Sequence, residues 1–181
     1  MISLTSNMSF ENILFLFGKI LLLVTINKFV LLLLYMSYKG IYRPSNPKKY
    51  KGDQSNIIYR SLWERKFMNY CDLNENIIEW ASEEFWIPYL DPTTNRVRRY
   101  FPDFFIKYKD KENNIRRSVI EVKPMRETLE PKATKGKSRK TLINESVTYV
   151  KNQAKWKAAK EFCADRKLEF KIMTEKELGI R

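Results

Sequence analysis

The chain has 181 residues, 44% of them hydrophobic and 14% aromatic, which is enough for one ordinary core and too little for two. A formal charge of +13, from 34 lysines and arginines against 21 acids, points to a polyanionic partner, either nucleic acid or an anionic membrane surface. With no histidine, and with Cys71 and Cys163 far apart in sequence, the usual catalytic triads, a zinc site and a disulfide framework are all poorly supported, leaving carboxylates, Lys, Tyr and Ser for chemistry.

Residues 13–35, "ILFLFGKILLLVTINKFVLLLLY", have the length of a membrane span. Lys19 and Lys28 fall inside it, each costing about 2.5–3.5 kcal/mol near the centre of an inserted helix, and no Ala-x-Ala-like cleavage site follows. Three accounts stay open for residues 1–35: a mis-assigned start with translation from Met36, a membrane or hydrophobic anchor, or a packed helix. A membrane partner belongs only to the second. There, Lys39, Arg43, Lys48, Lys49 and Lys51 would hold the following chain in the cytoplasm.

Residues 36–58, with Gly40, Pro44, Pro47 and Gly52, read as a basic extended arm, and residues 59–181 as a single domain. "SLWERKFMNYCDL" predicts a helix opening at Ser61 and closing at Asn74. "IIEWASEEFWIPYL", 77–90, is rich in β-branched and aromatic residues and predicts one strand, ended by Pro88 and the turn "DPTTN". Two further strands, 98–108 and 115–123, flank the turn "DKENN", and "RETLEPKATKGKSRK" then reads as a loop in which nothing packs. A helix over 140–166 carries Ile143, Val147, Val150, Ala154, Ala158 and Phe162 as its apolar stripe. A strand over 168–174 follows, and Thr174 with Glu177 forms a capping-box pattern for a short closing helix. The order predicts an α/β fold of helix, three-stranded meander, helix and strand, in a mixed sheet flanked by helices.

Within "YFPDFF" and "VIEVKP", Asp103, Glu121 and Lys123 stand where a strand would otherwise bury apolar groups. Side chains alternate along a strand, so Glu121 and Lys123 share one face while Ile120 and Val122 take the other. A hairpin turning near 110–114 brings residues close to 103 opposite residues close to 121. Two carboxylates so placed repel unless a cation lies between them, and an oxygen-only ligand set suits Mg²⁺ or Mn²⁺. A neighbouring lysine able to neutralise a developing oxyanion completes what phosphodiester hydrolysis requires. The reading is a metal-dependent nuclease. A pure docking protein of the same fold is the alternative.

Pro102-Asp103 followed by Glu121-Val122-Lys123 resembles the PD-(D/E)xK signature of the restriction-endonuclease-like superfamily, whose core has the predicted element order. "YRSLWERKFMNYCDL", "RRYFPDFF", "IEVKPMRET" and "KWKAAKEFCADRKLEFKIMTEKELG" are further similar to the head completion nucleases of T-even-type tailed phages, from about Met36 to Gly179. A more distant likeness is to the end-cleaving endonuclease subunits of Tn7-type transposons.

The resemblance implies that Asp103 and Glu121 hold the divalent metal with the Val122 carbonyl, and that Lys123 orients or activates the attacking water. It further implies that Glu64 adds a ligand, directly or through water. Glu64 also completes a capping box with Ser61, and Glu83 is either a further acid of the site or a solvated position. Double-stranded DNA is the implied substrate, phage head or neck proteins the implied partners, and the host cytoplasm during virion assembly, or the virion itself, the implied location. Arg60, Arg98, Arg99, Lys132, Lys135, Lys137, Arg139 and Lys140 are the candidate phosphate contacts. Such contacts are sequence-independent and weaken with salt. The lysine-rich loop is equally readable as a solvated segment.

Overall fold

Four strands form the central sheet of the computed structural model, which describes residues 39–179. The hydrophobic stretch at 13–35 lies outside the described residues, as do the alternative accounts of it. Among the described residues no helix is long and apolar enough to cross a membrane.

The strands β3 (Ile77–Ser82), β6 (Phe104–Lys109), β7 (Ile115–Val122) and β8 (Glu169–Met173) lie side by side in that order. The first three run antiparallel, and β8 joins β7 in parallel. A parallel neighbour demands a crossover, supplied by the helix α3 (Arg139–Asp165). With α1 (Leu62–Leu73) preceding β3, the expected order of helix, meander, helix and strand is realised. The expected short closing helix is instead a hydrogen-bonded turn, in which Glu177 Oε2 accepts the Thr174 amide at 2.8 Å.

Two runs expected as single strands are each divided. The run 77–90 breaks after β3, where Glu83 adopts a left-handed φ of 54°, and its second half leaves the sheet as β4 (Ile87–Asp91). The run 98–108 breaks at residues 101–103, where Pro102 offers no amide to a ladder. The part before the break, β5 (Arg96–Tyr100), pairs with β4 as a separate two-stranded ribbon.

Residues 40–59 also depart from the extended arm expected of them. There, β1 (Gly40–Ile41) pairs with β2 (Ile58–Tyr59), and Tyr42, Tyr50, Ile57 and Tyr59 are buried in the core with Trp63, Phe67, Met68 and Trp80. Buried Asp72 ties this segment to α1 by accepting the amides of Ser45 at 2.7 Å and Asn46 at 3.0 Å. Lys49 donates to the carbonyls of Asp72 at 3.0 Å and Asn74 at 2.8 Å, satisfying acceptors at the end of the helix.

The sheet therefore has α1 and residues 40–59 on one face. The other face carries the ribbon and the second half of α3, where Ile87, Tyr89, Tyr100 and Ala159 pack with Phe85, Phe162 and Phe170. The stripe expected on α3 fails in its first half, because Ile143, Val147 and Val150 are exposed; the buried positions are Asn152, Trp156, Ala159 and Cys163. The first half lies beside the 129–138 segment, to which Lys137 ties Glu145 at 2.8 Å. That segment follows a short helix, α2 (Met125–Thr128), whose first amide donates to Glu175 at 2.8 Å.

Asp91, only 1% exposed, fastens the ribbon to α3. One oxygen accepts the Thr93 hydroxyl at 2.7 Å and amide at 2.9 Å, while the other pairs with Arg98 at 3.3 Å and Lys151 at 3.5 Å. The Thr93 hydrogen bonds, helped by Lys151, outweigh burial and hold its carboxyl at about 2. An unfolded aspartate titrates near pH ~3.9, so this stabilisation is complete above that value and disappears as pH falls through it towards ~2. Asp91→Asn is expected to lower the Tm at neutral pH, with the gap to wild type closing on acidification; a gap independent of pH in thermal melts would contradict the account.

Candidate active site at the ends of β6 and β7

Pairing of Phe104 with Ile120 sets the register that places Asp103, just before β6, against Glu121 on β7. Asp103 Oδ2 accepts the Val122 amide at 2.7 Å, so the aspartate substitutes for the next rung of the ladder. Ile120 and Val122 enter the core on the α1 side, which sends Glu121 and Lys123 to the α3 side. There Lys123 Nζ lies 3.2 Å from Glu121 Oε1, and the Tyr100 hydroxyl donates to Glu121 Oε2 at 2.6 Å. Glu121 is 2% exposed.

Burial, reinforced by the negative charge of Glu121, pushes the Asp103 carboxyl well above the ordinary range, against the pull of Lys123 and the Val122 amide. Burial draws Lys123 down, but Asp103 and Glu121 outweigh it and hold the ammonium above its ordinary value. Burial and the same glutamate push Tyr100 up, keeping it a donor. Among the described residues no three His, Cys, Asp or Glu side chains are placed to hold a metal ion together. The site presents a carboxylate pair, in which Asp103 Oδ1 accepts no hydrogen bond from a described residue. Two mutually repelling carboxylates with a free oxygen fit a divalent cation bound through oxygen ligands, with water completing the shell.

Glu64 adopts the capping geometry. It accepts the Arg60 amide at 2.7 Å and the Ser61 hydroxyl at 3.0 Å, while its own amide donates to Ser61 Oγ at 3.1 Å. Its charge still reaches Asp103, whose carboxyl it helps to raise. Arg60 forms an ion pair with Glu83, whose amide donates to the Asp103 carbonyl at 3.3 Å. Arg60, Glu64 and Glu83 thus stand near Asp103, joined to it by one backbone hydrogen bond and by charge.

The remaining basic candidates are not gathered there. Arg98 faces α3 and is engaged by Asp91, whereas Arg99, on the opposite face of the ribbon, stacks over exposed Trp86 with its guanidinium 5.4 Å from the ring centroid. Lys132, Lys135, Arg139 and Lys140 are exposed around the start of α3, and Lys137 is spent on Glu145 and on the Lys132 carbonyl at 3.0 Å.

Two residues at the cluster escape sequence reasoning. Tyr100 lies inside a run of basic and aromatic residues where nothing distinguishes it. Lys155 faces inward from α3, its Nζ 5.7 Å from the Tyr100 ring centroid and 5.9 Å from that of Tyr89. Its only signal is membership of the stretch that holds Asn152, Trp156 and Ala159.

Residues 74–175 match the family described as TnsA-like endonuclease N terminal. Over 143 residues the chain is 38% identical to a head completion nuclease of Enterobacteria phage T4, an alignment covering 77% of this chain and 93% of that protein. Tyr100→Phe deletes a hydrogen bond to a buried carboxylate, so it is expected to cost about 1.5–3 kcal/mol in urea unfolding. An unchanged midpoint would show that the Tyr100 hydroxyl does not stabilise Glu121.

Proposed function

The chain belongs to the TnsA-like endonuclease family, a nuclease family with a restriction-endonuclease-like fold, and from that premise we propose that it hydrolyses phosphodiester bonds of double-stranded DNA with a bound divalent cation, Mg²⁺ or Mn²⁺. The observation that carries this reading is the convergence of Asp103, Glu121 and Lys123 on one end of the sheet. Asp103, Glu121 and the Val122 carbonyl would hold the cation, with Glu64 acting through water. Bound there, the cation supplies Lewis-acid polarisation of the phosphoryl group and a more acidic water.

The protein's own residues do the rest. Lys123, kept protonated by two carboxylates, is suited to orient the attacking water and to neutralise charge developing on the phosphoryl oxygens. Glu121 fixes that ammonium at 3.2 Å, and Tyr100 fixes Glu121 at 2.6 Å, so the lysine is aimed before substrate arrives. Arg99 and the exposed bases at the start of α3 would track the DNA backbone. The likeness to a phage T4 head completion nuclease supports a role in head completion. Action before head-tail joining, in the host cytoplasm and alongside head or neck proteins, is part of the same proposal.

Plasmid DNA should be cut by the full chain with Mg²⁺ and left intact with EDTA. Glu121→Ala and Lys123→Ala, at matched folding, should each lose about 10²-fold or more in rate. A folded wild type that leaves DNA intact across Mg²⁺ and Mn²⁺ concentrations would overturn the proposal.

A further inference from the structure

One turn of α3 separates Lys151 from Lys155, and their ammonium groups meet different surroundings. Lys151 is neutralised by Asp91 at 3.5 Å. Lys155 has no carboxylate within 4.0 Å among the described residues. Its Nζ lies instead over the rings of Tyr89 and Tyr100, and the Tyr100 hydroxyl reaches Glu121 at 2.6 Å, which puts one tyrosine between the ammonium and the carboxylate pair. The side chain is half-buried, and desolvation, joined by the charges of Lys123 and Lys151, draws its ammonium below the ordinary value against the pull of Glu121 and Asp103.

A partly desolvated cation without a counter-ion costs free energy, and two aromatic faces at nearly 6 Å return only part of it. Among the described residues the arrangement is therefore incomplete until an anion arrives. Glu121, Lys123 and Lys155 all occupy the α3 side of the sheet, so a nucleic acid strand entering the carboxylate pair brings its phosphates to that side. The Asp91–Lys151 pair and the tyrosine packing hold α3 against the ribbon, which fixes the Lys155 stem in advance.

We propose that Lys155 is a substrate-contacting residue of this site, its ammonium binding a non-bridging oxygen of a DNA phosphate at or beside the scissile position. The proposal rests on the nuclease reading above and adds to it a second lysine, delivered by the crossover helix instead of the sheet.

The test compares the full wild-type chain with Lys155→Met, Lys155→Arg and, as a charge-matched control, Lys160→Met at an exposed position of α3. Two quantities are read: affinity for a duplex oligonucleotide across salt concentrations in EDTA, and single-turnover cleavage with Mg²⁺. Lys155→Met should reduce the salt slope by about 0.9 log units, the loss of one phosphate contact, and should slow cleavage at saturating DNA by about 10-fold or more. Lys155→Arg should restore most of both, and Lys160→Met should change neither.

Equal slopes and rates for Lys155→Met and Lys160→Met would overturn the contact while leaving a cleaving wild type, and hence the nuclease reading, intact. A wild type that binds but never cuts, with the slope lost only in Lys155→Met, would keep the contact and remove the nuclease. Should Lys155→Met not fold, Lys155→Gln takes its place, with the same outcomes deciding.

Discussion

Two carboxylates, Asp103 and Glu121, are forced together at the end of β6 and β7, and most of what surrounds them makes that enforced proximity tolerable. The sheet itself imposes it, because the Phe104 and Ile120 pairing leaves the next two positions no other place. Three donors then share the burden: the Val122 amide on Asp103, and the Tyr100 hydroxyl and Lys123 ammonium on Glu121. The compensation is partial, since Asp103 remains pushed well above the ordinary carboxylate range by burial and by Glu121. A carboxylate pair only partly compensated by one lysine, in a strongly basic protein, is poised for a cation and for the polyanion that accompanies it.

The ribbon and the crossover helix follow from the same need. A plain meander would run from β3 directly to β6, and nothing would cover the α3-side face at Glu121. Leaving the sheet after Glu83 allows β4 and β5 to form a separate layer that lowers Tyr100 onto Glu121. Asp91 then clamps that layer to α3 through Lys151, and Lys155 takes its place over the two tyrosines. Each polar group in this layer acts on the next, so the geometry of the carboxylate pair depends on contacts made a helix turn and a strand away.

How much of this is legible in the sequence depends on whether a residue obeys a local period. The alternation in "IEVK" is strict and its faces are realised, and Ser61 with Glu64 announces a cap that forms as written. The division of 77–90 falls at "ASEE", an interruption of the β-branched and aromatic run without glycine or proline to mark a turn, and the left-handed backbone at Glu83 makes the break. Tyr42, Tyr50 and Ile57 are buried at irregular spacings, so periodicity misses them, and the polar residues between them suggest a free arm. On α3 the opposite failure occurs: Ile143, Val147 and Val150 keep the helical period but stay exposed, while buried Asn152 breaks it. Lys155 is invisible for a related reason, since a lysine on a lysine-rich helix normally faces water, and only the tertiary placement of two tyrosines turns it inward.

The measurement that bears most directly on the carboxylate pair is Mn²⁺ binding by the DNA-free protein, followed by electron paramagnetic resonance for wild type, Asp103→Asn and Glu121→Gln. The account predicts saturable binding in the wild type that is lost in both variants while their folds persist. Equal binding in all three proteins would contradict it, because the cation would then lie somewhere other than between Asp103 and Glu121.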